Sequence, residues 1–178
     1  MIRHTARRRM LALSGALAIG AAGLGLAGPA SADPSVIEAS GPLSDLAPKT
    51  VNPTDGTSAE VFAINDGSST TVLMVLSGLD PAAEGQTFGA HVHTGPCVDG
   101  DGGRAGPHFN TGDTPSPSTE VWLDFTVLPG GWAVSQTTVP FTIPAGGAQA
   151  VVIHAQPTQT GANPGVAGPR LACLPVAF

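Results

Sequence analysis

Glycine and proline interrupt this chain so often that, past residue 32, no stretch carries the apolar spacing of a long amphipathic helix; 24 Gly and 17 Pro stand among 178 residues. Gly gives the backbone too much freedom, and Pro lacks the amide donor, so each breaks a helix interior. What is left between them is a series of short β-branched and apolar runs bounded by Gly, Pro, Asn and Asp, which is the pattern of strands. Residues 58–64, 70–76, 87–93, 120–127, 132–139 and 150–154 are the strand candidates, with weaker ones near Val36 and Leu171. Asn65-Asp66-Gly67 and Pro129-Gly130-Gly131 read as hairpin turns. Such spacing predicts an all-β sandwich or barrel. Aromatic residues are scarce and Tyr is absent, so a core of small residues is expected, with Trp122 and Trp132 packing on the scaffold.

The first 32 residues stand apart. Arg3, Arg7, Arg8 and Arg9 precede an apolar stretch from Leu11 to Ala27, and Ala30-Ser31-Ala32 offers a cleavage site before Asp33. This is the pattern of a secretory signal, by the general route or, with Arg7-Arg8, the twin-arginine one. The expectation is an exported protein, secreted or in the cell envelope, without a membrane anchor. Residues 33–56 form a lead that can supply a first strand, and residues 57–178 the β domain. Without the signal, thirteen acidic residues face only Lys49, Arg104 and Arg170, a net charge of −10. Nucleic acid and anionic lipid are poor partners for such a chain.

Both cysteines, Cys97 and Cys173, fall in the exported part. An even count in an oxidising compartment favours a disulfide over free thiols or metal ligation. Closing that loop would contribute about 4 kcal/mol on the chain-entropy model.

Four of the five histidines, His91, His93, His108 and His154, form the chemically loaded set, since His4 lies in the signal. In an extended segment, residues two apart share a face, so His91 and His93 can present two imidazoles side by side. Imidazole suits zinc, copper, iron and nickel, and an all-nitrogen tetragonal set points to Cu(II) or Ni(II). Residues 94–107, 110–119 and 155–169 read as long loops beginning or ending close to these histidines, where function on a rigid scaffold belongs. By contrast, Asp99-Gly100-Asp101-Gly102-Gly103 lacks the later glutamate of a calcium loop and reads as a solvated turn.

Gly89-Ala90-His91-Val92-His93, Ala105-Gly106-Pro107-His108-Phe109-Asn110, Val151-Val152-Ile153-His154 and Gly168-Pro169-Arg170-Leu171-Ala172-Cys173 follow one another in the order found in copper/zinc superoxide dismutases. Together the four motifs are specific, whereas H-x-H alone is weak. The resemblance spans residues 58–178 and implies an eight-stranded Greek-key β-barrel or sandwich. It implies copper held by His91, His93, His108 and His154, a disulfide between Cys97 and Cys173, and Arg170 guiding superoxide to the metal. Catalytic parts fall to Arg170 and His108, and Arg104, four residues before His108 in a glycine-rich loop, is the candidate for a secondary steering part.

The chain departs from that family at the zinc site. No histidine lies between His108 and His154, whereas the family places two there. Alignment puts Glu120 at a zinc histidine and Leu123 at the zinc aspartate; Asp124 could substitute only through a one-residue shift that turns its side chain to the other face. One imidazole and a carboxylate or two make a poor zinc site. The resemblance therefore narrows to the copper-only superoxide dismutases, in which a glutamate orients the former bridging histidine, and Glu120 is the candidate for that part.

The expected function is dismutation of superoxide to dioxygen and hydrogen peroxide by one copper per chain without zinc. A copper storage or buffering module is the alternative; it keeps the histidines but needs neither Arg170 nor an open coordination position. Nothing in the residues sets an oligomeric state or a copper donor.

Overall fold

The computed structural model describes residues 35–178. The signal expected over residues 1–32 lies outside the described residues. Ten strands follow in chain order: β1 (Ser35–Pro42), β2 (Ser44–Asp45), β3 (Ser58–Asn65), β4 (Thr70–Ser77), β5 (Thr87–Phe88), β6 (Ala90–His93), β7 (Phe125–Thr126), β8 (Trp132–Val139), β9 (Ala150–His154) and β10 (Arg170–Pro175). Helical structure among the described residues is confined to 3-10 turns at Pro81–Ala83 and Gly102–Ala105. None is long and apolar enough to cross a membrane. The chain is all-β, as its punctuation predicts.

The ladders are antiparallel throughout. One sheet has the order β1-β3-β4-β8 and a second the order β2-β10-β9-β6, with β5 and β7 forming a short extra pair. No ladder among the described residues joins the two larger sheets, so they are open rather than closed into a barrel. Period-two burial explains the first sheet: Val61 and Ala63 on β3 and Val72, Met74 and Leu76 on β4 are buried, while their neighbours face outward. They share one core with Val92, Val151, Ile153 and Leu174 of the second sheet. Burying each of the larger side chains contributes about 1.5–3 kcal/mol, so the sheets are held by their inner faces.

The other face of the second sheet positions the site. Ala150, Val152 and Cys173 form a second apolar cluster there with Leu46, Ala105 and Cys97. His91 pairs with Val152 and His93 with Ala150 across the β6–β9 ladder. Directly opposed residues share a face, and His154 is two residues beyond Val152, so three histidines lie on this face. Cys97 and Cys173 are joined, their Cα atoms 5.7 Å apart. The bridge pins the loop after β6 onto β10 and is compatible with an exported protein.

Two expected strands come out differently. The run 87–93 is broken at Gly89, whose Cβ, were there one, would lie 2.7 Å from Ala167 Cβ and 2.9 Å from Thr158 Oγ1. Gly89 instead bonds to the end of β9 and the loop after it, its amide donating to the Gln156 carbonyl at 2.8 Å and its carbonyl accepting from His154 N at 2.8 Å. In the run 120–127 only Phe125–Thr126 enters a ladder; Val121 and Leu123 reach β6 through single hydrogen bonds to Val92 and Ala90. The lead over residues 33–56 supplies β1 and β2.

Candidate metal centre

His91 and His93 come from β6, His154 from the end of β9, and His108 from the returning loop, which bridges to β6 at His93. Phe109 N donates to Val92 O at 2.9 Å, and Thr94 N to Pro107 O at 3.0 Å, so His108 is held alongside its partners by main-chain bonds. One ring nitrogen from each histidine lies within 4.8 Å of the other three. His91, His93 and His154 are buried; His108 is partly open to solvent.

The outward nitrogens decide the tautomers. His93 Nδ1 lies 3.1 Å from the Gly106 carbonyl, and His154 Nδ1 3.2 Å from the Gly168 carbonyl. Carbonyls only accept, so each Nδ1 carries its proton and each Nε2 is bare. His108 Nδ1 lies 2.8 Å from Glu120 Oε2 and donates to that carboxylate, leaving its Nε2 bare as well. His91 is turned the other way, with its Nε2 2.6 Å from the Thr158 hydroxyl. That hydroxyl gives its own proton to Asp124 Oδ1, so it accepts from His91, and His91 Nδ1 is the bare atom.

Four lone pairs therefore converge. His91 Nδ1 and His108 Nε2 are 3.0 Å apart, and His93 Nε2 and His154 Nε2 are 3.3 Å apart. With every ring proton committed outward, these short approaches cannot be hydrogen bonds between neutral rings. A cation between them resolves the clash, and the donor set fits a late first-row metal that accepts four imidazoles. Burial supports the neutral form: it pushes His93 down to about 3 and His154 down to about 4. His91 is pushed down by burial first and by its neighbouring imidazoles second.

Glu120 is 2% exposed. Besides His108, it accepts from Trp122 Nε1 at 2.7 Å and Asn110 Nδ2 at 2.8 Å. Burial alone would raise its pKa, but the hydrogen bonds from His108, Trp122 and Asn110 hold it below the usual carboxylate range. Trp122, expected only to pack on the scaffold, thus also serves this carboxylate, and its ring lies 6.1 Å from that of His91. Trp132 packs only in part, being 47% exposed at the start of β8.

Arg170 sits opposite His154 in the β9–β10 ladder. Its guanidinium donates to the Gly102 and Gly106 carbonyls. A cavity of about 500 Å³ opens beside it, lined also by His108, His154, Glu120 and Gly165. Arg104 is exposed on the Gly102–Ala105 turn and does not line this cavity, and Lys49 is exposed elsewhere. Asp99, Asp101 and Asp113 are exposed and join no metal-holding cluster among the described residues.

Residue type alone does not mark Thr158, Asn110 or Trp122 as site residues. Asp124 lies outside the four-histidine cluster and holds Thr158, with Thr158 N donating to its Oδ2 at 2.8 Å. Comparison with protein-family models finds none that matches this chain, and a search of the curated proteins finds no match.

Proposed function

We propose that this chain is an exported copper-dependent superoxide dismutase that works without zinc. The observation that carries the reading is the convergence of four bare imidazole nitrogens beside a cavity that Arg170 lines. His91 Nδ1 and the Nε2 atoms of His93, His108 and His154 would hold the copper. Copper there supplies reversible one-electron chemistry, oxidising one superoxide to dioxygen and reducing the next to the peroxide level.

The residues of the chain do the rest. Arg170 is the cation at the cavity, and its fixed guanidinium would draw and orient a small anion despite the acidic surroundings. His108 is the proton carrier best placed for peroxide formation: its Nε2 faces the cluster, it borders the cavity, and Glu120 secures its Nδ1 proton. Glu120, which accepts from three donors, would take the part in orienting His108 that a bridging zinc plays in the zinc-bearing family. Two protons and two superoxides give one dioxygen and one hydrogen peroxide.

The reading calls for a Greek-key frame, with which the strand order is compatible. Joining β5 and β6 across Gly89 leaves nine strands, and eight principal ones once the two-residue β2 is set aside and β7 is extended back through Val121. The links β4 to β5 and β8 to β9 then pass from one sheet to the other.

The test is metal analysis and dismutase assay of the full chain produced in an oxidising compartment. One copper and no zinc per chain, with activity above that of free copper, is expected. Tight copper binding without such activity would leave a storage module instead.

A further inference from the structure

We propose that Thr158 and Asp124 form a positioning relay that sets the tautomer of His91 and so aims its Nδ1, rather than its Nε2, at the metal. The inference rests on the reading of the four histidines as metal ligands and adds residues to it. Three of the four rings are oriented by direct contacts to carbonyls or a carboxylate. His91 alone depends on a side-chain hydroxyl. Its Nε2 is 4.0 Å from Asp124 Oδ1, beyond hydrogen-bond reach, so the carboxylate acts only through Thr158.

A hydroxyl can give or take, and by itself would not choose a tautomer. Asp124 makes the choice. Its two oxygens accept from Thr158 Oγ1 and Thr158 N, which uses up the hydroxyl proton and leaves only a lone pair for His91. The proton of His91 is therefore held on Nε2. Room for the hydroxyl is built in: a side chain at Gly89 would collide with Thr158 Oγ1 and Ala167 Cβ. The same contacts tie the loop of residues 155–169 to the segment that carries Glu120, so one relay sets both the ring and the wall of the cavity.

The experiment compares the parent chain with Thr158→Val, which removes the hydroxyl at nearly constant shape, and Thr158→Ser, which keeps it. In the metal-free full chain, two-bond ¹H–¹⁵N spectra of the histidine rings report the tautomer. Copper affinity by competition titration and the Cu(II) electron paramagnetic resonance spectrum report the loaded site. Thr158→Val is expected to lose the Nε2–H form of His91, to bind copper about 10- to 100-fold more weakly, and to change the spectrum, with Thr158→Ser close to the parent. A parental tautomer and affinity in Thr158→Val would overturn the relay, as would equal losses in both variants. If the parent binds no copper, the dismutase reading fails while the metal-free spectra still decide the relay. Asp124→Ala carries the same readouts should Thr158→Val not fold.

Discussion

Arg170 and His93 share one acceptor: the Gly106 carbonyl takes a hydrogen bond from Arg170 Nη2 at 2.6 Å and from His93 Nδ1 at 3.1 Å. The cation of the cavity and a buried ring of the cluster are thus fixed by the same peptide unit. That unit belongs to the loop which the Cys97–Cys173 bridge ties to β10, the strand that also begins with Arg170.

If Arg170 captures the anion, Arg170→Ala should lower the dismutation rate on the order of tenfold at low salt and flatten its dependence on ionic strength. Arg170→Lys should restore the salt dependence but only part of the rate, because an ammonium cannot bridge the Gly102 and Gly106 carbonyls as a guanidinium fork does. Rates measured across a salt series check this. An unchanged rate and slope in Arg170→Ala would remove the residue from anion capture.

Glu120→Gln leaves one carbonyl oxygen to serve three donors, from His108, Trp122 and Asn110, and turns an amide N–H toward at least one of them. Leaving buried donors unmatched costs about 1–3 kcal/mol of stability. Copper affinity should fall about 10- to 100-fold because His108 loses its orienting partner. Urea melts of the metal-free chain and copper competition separate the two effects. Parental copper affinity in Glu120→Gln would contradict the orienting part assigned to it.

Much of this arrangement is legible in the sequence, and the reasons differ by residue. Strands β3, β4 and β8 advertise themselves because one face is buried and the alternation follows, whereas β9, buried on both faces, shows as a continuous apolar run. The paired spacing of His91 and His93 advertises a metal for the same reason. The break at Gly89 was invisible, since its cause is Thr158 and Ala167, which reach it only through the tertiary fold. The part played by Thr158 was equally hidden: a threonine in a loop rich in Gly and Pro meets an aspartate 34 residues away. Trp122 reads as a packing residue until its indole nitrogen is seen against Glu120. Local pattern reports which face a side chain takes, whereas hydrogen-bond partners are set by loops that pattern does not constrain.

The metal-free protein should lose stability in mild acid. An unfolded chain protonates its histidines near the ordinary value of 6.5, while burial holds folded His93 and His154 neutral until about 3 and about 4. Between those limits the unfolded state binds more protons, so stability falls as pH falls. Lowering the pH from about 7 to about 5 should reduce the melting temperature by roughly 10 °C, a shift worth a few kcal/mol for a domain of this size. His154→Gln should flatten the slope. A melting temperature that did not move over this range would show that the buried rings accept protons in place.

Gly165 lies directly over the pair formed by Glu120 and His108. A Cβ there would stand 3.0 Å from Pro115 Cβ, 3.3 Å from Glu120 Oε2 and 3.7 Å from His108 Nδ1, and its φ of +83° is one that side-chain-bearing residues rarely adopt. Gly130 offers the control, with φ +90° and nothing within 4 Å of its would-be Cβ. Alanine at either position should destabilise by about 1–2 kcal/mol through backbone strain. Only at position 165 does the added methyl press on the carboxylate that orients His108, so only Gly165→Ala should also weaken copper binding. Equal copper affinity in the two variants, measured by the same competition titration, would mean that the loop of residues 155–169 merely covers the site and does not hold its shape.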